Sequence, residues 1–267
     1  MLELQSEDQD SRSGWPDGTR WLRGSFALAT LAAALGGLGG CGPRAAVPPR
    51  PARIPPALVA GDEAAALART LAPVLYLQRD EALPLLRTVA VVDGARRIIA
   101  YHLLWRDDVH AAWIPGTRPT DEEIVWVGYD ASGAPSDVWT FWHKKILHAP
   151  WNRRAVEINV QWGKHGSLPR GVRESDLPRF RTLNAFYVAA LIGLPDIWLG
   201  RLNRPGPWGF FHGYRRYRQF TRRLEVAPAI DFVLKAGPGV EDGMRRVFGW
   251  NYSQKRAWPY EVPSLAR

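Results

Sequence analysis

The chain is poor in sulfur and in lysine. Its 267 residues include one cysteine, Cys41, and two methionines. An intrachain disulfide and a multi-cysteine zinc or iron–sulfur site are therefore excluded. Only five of the 35 basic residues are lysines, and arginine supplies the rest, the pattern of a high-GC proteome. Short catalytic signatures are also missing. No Gly-x-Ser-x-Gly nucleophile elbow occurs, and Ser167 in His165-Gly166-Ser167-Leu168-Pro169 has the wrong frame. There is no Walker loop and no Rossmann glycine pattern. No internal repeat is present. If the chain is an enzyme, these absences leave scattered carboxylates and histidines to do the work.

No apolar run reaches the roughly 20 residues that span a bilayer. The longest, Phe26 to Leu38, is rich in Ala, Leu and Gly and follows Arg20 and Arg23. Positive residues, a short apolar stretch and small residues before a cleavage point make a secretory signal. The stretch closes in Leu38-Gly39-Gly40-Cys41, which resembles the lipobox of bacterial lipoproteins. That resemblance implies acylation of Cys41, which becomes the first residue of the mature chain. Glu3, Glu7, Asp8 and Asp10 precede the apolar stretch, so translation starting further downstream is also compatible. The alternative for this segment is a buried Ala/Leu helix with a chance cysteine. On the lipoprotein reading, residues 1–40 are a signal peptide and the protein is anchored to the cell envelope. Gly42 after the cysteine resembles cargo sorted to the outer membrane in a Gram-negative host.

Residues 41–60 form a Pro/Ala/Arg-rich tether, since proline favours extended chain. Residues 61–267 suit a single domain. From Cys41 onward the chain has 32 basic and 21 acidic residues, a formal charge of +11, and eleven of the 13 tryptophans. Anionic lipid or envelope polysaccharide fits that surface charge better than nucleic acid, which is not expected as a partner of an exported protein. The bland reading is a proteome in which arginine simply replaces lysine.

The pattern predicts a mainly β, antiparallel sandwich with helical additions in the C-terminal third. A helix is expected over Asp62 to Ala72, capped by Asp62 and stopped by Pro73. Strands are expected at Val74–Gln78, Thr88–Val92 and Ile98–Trp105, with Asp93-Gly94 as a turn. Ile124–Tyr129 is apolar on both faces, which predicts a central strand. Asp130 and Ser132-Gly133 make a turn before Asp137–Trp142. Val156 to Trp162 alternates cleanly, as in a half-buried antiparallel strand. Leu183–Ile192 and Ile197–Leu202 read as helical or irregular.

Several stretches in order resemble the superfamily of necrosis-inducing proteins and the vacuolar-protein-sorting-associated proteins that share their sandwich. Leu67 to Glu81 with Pro84 is similar to the family's opening, a helix running into Ala-Pro, a strand and Asp-Glu. Tyr101, Trp105 and Asp107 resemble its aromatic strand. Asp121-Glu122-Glu123 enters Ile124-Val125-Trp126-Val127 where necrosis-inducing members carry Gly-His-Arg-His-Asp-Trp-Glu, and His165-Gly166 resembles a later His-Gly. The resemblance covers roughly residues 65–170. It implies the sandwich fold, and in the necrosis-inducing members that heptapeptide helps hold a divalent cation used in lipid recognition. Thr117 to Thr120 stand where its histidines would be, and His110 lies nearby.

Asp121 and Glu123, two apart on a strand, project from one face. Paired hard oxygens suit Ca²⁺ or Mg²⁺, or a base with its orienting partner. His165 joins them only if the strands neighbour. The bland reading is a solvated strand end with His165 in a turn. His143 and His148 have the wrong spacing for a zinc helix. His102 reads as a satisfied core histidine and His212 as part of an aromatic loop. Tyr214 to Arg223 and Phe186 to Leu202 could meet lipid, but a solvated element anchored by its aromatics fits the first better and a core helix pair the second. The expectation is a lipid-anchored envelope protein, a binding or structural module for envelope glycan or lipid headgroups. The alternative is a metal-dependent hydrolase using Asp121, Glu123 and His165, which fails if the imidazole lies more than about 10 Å from both carboxylates.

Overall fold

Alternating and β-branched apolar residues set the strands, and polar turns separate them. The computed structural model describes residues 3–5, 53–79, 81, 83–106, 121–142, 145–172, 220–249, 252, 255 and 258. Eleven strands are described: β1 (Glu3–Gln5), β2 (Val74–Gln78), β3 (Leu85–Asp93), β4 (Ile98–Trp105), β5 (Asp121–Tyr129), β6 (Pro135–Trp142), β7 (Lys145–Pro150), β8 (Glu157–Val160), β9 (Ser167–Pro169), β10 (Phe220–Glu225) and β11 (Ile230–Lys235). Two α-helices, α1 (Asp62–Thr70) and α2 (Val240–Phe248), and two short 3-10 helices, Pro56–Leu58 and Ala227–Ala229, are the described helical elements. These elements lie in one unit made of residues 1–6 and 48–267. Cys41 and the apolar stretch Phe26 to Leu38 lie outside the described residues. So do His110, His143, His212 and the segments Leu183–Ile192 and Ile197–Leu202.

The strands make a seven-stranded sheet, ordered β1-β7-β6-β5-β4-β3-β11, and a four-stranded sheet, ordered β10-β2-β8-β9. The fold is mainly β and sandwich-like, with mixed sheets. Two pairings depart from the antiparallel expectation: β8 runs parallel to β2, and β11 runs parallel to β3. β8 is antiparallel only to β9. The strand beginning at Asp121 sits in the middle of the large sheet, as its two apolar faces require. Glu3–Gln5, assigned to the leader by sequence, pairs as an edge strand with β7.

Side chains alternate between two cores. Leu75, Leu77, Ile158 and Val160 of the small sheet meet Tyr101, Leu103, Val125 and Val127 of the large one, with Ala68 and Leu71 from the α1 end. On the other face, Val89, Ala100, Leu104, Ile124 and Trp126 pack against Met244, Val247 and Phe248 of α2. Each fully buried Leu, Ile or Val stabilises by about 1.5–3 kcal/mol, so the layers hold without covalent staples. Gly61, not Asp62, is the N-cap of α1; Asp62 and Glu63 occupy its first turn, where the helix dipole favours them. The Tyr101 hydroxyl donates to the Ala68 carbonyl at 2.7 Å, fastening α1 to β4. Asp130 accepts from the Ser132 and Ala134 amides, closing the β5–β6 turn with Gly133 at φ 82°.

Candidate functional site

One end of the space between the sheets is polar. The Trp105 end of β4 and the Asp121 end of β5 lie side by side, since Trp105 pairs with Asp121 and Leu103 with Glu123. From the small sheet, the β8–β9 turn reaches across with Gln161 to Gly166. This turn is tight: the His165 amide donates to the Gln161 carbonyl and the Gln161 amide to the Gly166 carbonyl. Gly163 has φ 63° and His165 φ 51°. A left-handed backbone costs a non-glycine residue about 1–2 kcal/mol, so surrounding contacts must hold His165 there.

Those contacts are electrostatic and aromatic. His165 Nδ1 lies 3.2 Å from Asp121 Oδ2, and Nε2 faces Glu81 Oε1 at 3.7 Å. The imidazole stacks on the Trp105 indole with centroids 4.3 Å apart and planes within 4°. The ring is completely buried, while Asp121 keeps 15% of its side-chain surface exposed. Burial alone would pull the imidazole's pKa down, but its hydrogen bond to Asp121 and the charge of the nearby Glu81 carboxylate override this and hold it at about 9. The ring is therefore an imidazolium at neutral pH. Glu81 is itself fixed, accepting from the Gly163 amide at 2.7 Å and the Leu83 amide at 3.0 Å. Its own carbonyl accepts from Arg222.

Each of the three consecutive acids on β5 has a separate basic partner. Asp121 meets His165. Glu122, on the opposite face, lies 2.7 Å from His102 Nδ1, both buried, beside Phe248 and Tyr252. Glu123 Oε1 accepts from Lys255 Nζ at 2.8 Å, and Lys255 also donates to the Glu122 carbonyl. Burial pushes the Glu123 carboxyl up to about 8, although the Lys255 ammonium pulls against that rise. Burial works against the Lys255 charge, yet Glu123 and Asp121 hold its pKa above the ordinary lysine value. The second Glu123 oxygen, His165 Nε2, the Trp105 indole nitrogen and the Thr140 hydroxyl are buried without a hydrogen-bond partner.

His165 meets Asp121 at 3.2 Å, while Glu123, on the same face of β5, pairs with Lys255. The imidazole lies well inside the 10 Å limit for Asp121. Their chemistry differs from a ligand cage. Metal ligation needs a neutral imidazole and free carboxylate oxygens, whereas here the imidazole is a cation donating to one carboxylate and an ammonium occupies the other. Among the described residues, no three His, Cys, Asp or Glu side chains are grouped to hold a metal ion. The donor set does not fit a divalent ion in this arrangement.

His102 is a satisfied core histidine, as expected. His148 lies 2.9 Å from Asp137 and stacks on Trp139, apart from the cluster. The sequence reading did not single out Glu122, His102 or Lys255 for this site, and it quoted Glu81 only as part of a family opening. Lysine's scarcity could have marked Lys255.

No known family profile matches the chain, and no curated protein does. Among solved structures, NLPPya in complex with glucosamine overlaps with a TM-score of 0.33 at 18% identity, over 48% of this chain and 74% of that one. NLPPya in complex with mannosamine overlaps with a TM-score of 0.29 at 16% identity, over 45% and 77%. Overlap of this extent leaves the ligand open.

Proposed function

We propose that the chain is an exported bacterial envelope lipoprotein, acylated at Cys41. A tether over residues 42–60 displays its sandwich as a binding or structural module for envelope glycan or lipid headgroups. In a Gram-negative host the anchor is the outer membrane. The signal-like residues 20–40 and the proline-rich tether support the location. Acyl chains hold by hydrophobic transfer, about 0.8 kcal/mol per buried methylene.

The observation that carries the module reading is the internal pairing of Asp121, Glu122 and Glu123 with His165, His102 and Lys255. Two of these pairs tie the large sheet to the small sheet and to the C-terminal segment, and the Glu122–His102 pair lies within the large sheet. A hydrolase would need an open base. His165 is instead a sealed imidazolium with its ring face covered by Trp105, a poor base at neutral pH.

Two measurements test the reading. Metabolic labelling with an alkyne fatty acid should tag the wild-type chain, and Cys41→Ser should abolish both the label and membrane association. An unlabelled wild type found only in the soluble fraction would remove the anchor. Separately, the chain should bind saturably to peptidoglycan, to lipopolysaccharide or to anionic vesicles. Failure to bind all three would sink the module.

A further inference from the structure

We infer that His165 and Lys255 are built-in cations standing where a divalent ion would be expected beside Asp121 and Glu123, so that the sandwich closes without metal. The inference concerns the interior and does not depend on the anchor or on the module's ligand. It rests first on which oxygens Lys255 touches. Its ammonium contacts the Glu122 backbone carbonyl and the Glu123 carboxylate, the kinds of hard oxygen that Ca²⁺ and Mg²⁺ use. The second carboxylate, Asp121, is taken by His165 from the other sheet. Both acids project from one face of β5 and are charge-coupled to each other, to Lys255 and to His165.

A second observation concerns what remains when the ammonium is removed. The other Glu123 oxygen is buried and has no hydrogen-bond partner. Without Lys255, the Glu122 carbonyl and both Glu123 oxygens would lose their ammonium, and His165, held by Asp121, would be the one cation left nearby. Burying uncompensated charge is costly, so such a group should take up a proton or, where millimolar divalent ion competes with the proton, a small divalent ion. Lys255 is delivered from beyond α2. Tyr252 stacks on Phe248 of that helix and its hydroxyl donates to Glu241, and Lys255 lies 5.2 Å from the centre of the Phe141 ring. The C-terminal segment thus carries its cation to the polar end of the sandwich.

The test compares the full-length wild type with Lys255→Met and with Lys255→Met/Glu123→Leu. Metal content is measured by plasma mass spectrometry, and melting is followed at pH 8 in EDTA or in millimolar Ca²⁺ or Mg²⁺. The wild type should be substoichiometric in metal and melt at one temperature in all three. Lys255→Met should melt lower in EDTA and recover by about 3 °C or more with either ion. The double variant, with no buried carboxylate left to satisfy, should be indifferent to the ions. Stoichiometric metal in the wild type whose removal lowers its midpoint overturns the inference, and so does a Lys255→Met variant no more responsive than wild type. If Lys255→Met folds only with a divalent ion, the inference is supported. If it folds in neither condition, wild-type metal content and EDTA response decide.

Discussion

The imidazole of His165 lies flat on the indole of Trp105, with centroids 4.3 Å apart and planes within 4°, although 60 positions separate them in the chain. That stack presses the β8–β9 turn of the small sheet against β4 of the large one. It also aims the two ring nitrogens at Asp121 and Glu81. Aromatic contact and ion pairing therefore act on the same ring.

Removing either partner should open this end of the sandwich. Trp105→Ala leaves a large cavity and is expected to cost about 3–5 kcal/mol. His165→Ala leaves Asp121 and Glu81 without their cation, with a cost of similar size. Denaturant unfolding monitored by circular dichroism measures both. Near-wild-type midpoints would show that the stack is incidental.

Stability should fall as pH rises. His165 binds its proton more tightly folded, with a pKa of about 9, than unfolded, near 6.5. Its contribution is therefore complete below about pH 6.5 and is lost on the way through 9. Glu123, raised to about 8 by burial, slopes the same way and adds to the loss up to that pH. Denaturation from pH 6 to 9.5 at constant ionic strength should show a decline of about 3 kcal/mol from His165, with a further loss from Glu123 below pH 8. His165→Gln should remove the His165 share, leaving a slope from Glu123 that ends near pH 8. A level wild-type profile would contradict the charged, buried imidazole.

Gly166 is required by space. A methyl group there would sit 2.8 Å from Trp142 Cε3 and 3.0 Å from Gln161 Oε1. Gly166→Ala should destabilise by about 1–3 kcal/mol through overpacking. Gly94→Ala, with open space around the added carbon, is the control and should stay close to wild type. Equal midpoints for the two variants would mean that the Trp142 contact yields freely.

Glu122 and His102 should behave as a coupled pair. Either single change, Glu122→Leu or His102→Leu, leaves one buried polar partner alone and should cost about 3–5 kcal/mol. The double change should cost far less than the sum, with a coupling energy of at least about 1 kcal/mol in a double-mutant cycle. Additive costs would mean that the 2.7 Å contact carries no energy of its own.

Much of the sandwich can be read locally. Val74–Gln78 and Ile98–Trp105 have the same limits by pattern and in space, because a half- or fully buried strand needs only β-branched and aromatic residues bounded by turns. Other elements lacked so clean a signature. α2 carries Gly243 in its interior and shows its apolar side only at Val240, Met244 and Val247–Phe248, while β11 mixes Asp231 and Lys235 into an apolar run. The parallel pairings of β8 with β2 and of β11 with β3 join distant segments, and side-chain alternation gives no direction for such contacts.

By itself, the sequence determined the β-rich character, the centrality of β5 and the common face of Asp121 and Glu123, since these follow from a period of two within one strand. It also put a lone cysteine behind a signal-like stretch. Tertiary structure decided what those acids do. His165 lies 44 residues from Asp121 in the chain and Lys255 lies 132 from Glu123. Whether a carboxylate meets a metal, water or an internal cation depends on which distant segment is packed beside it, and on the burial that makes an unpaired charge costly.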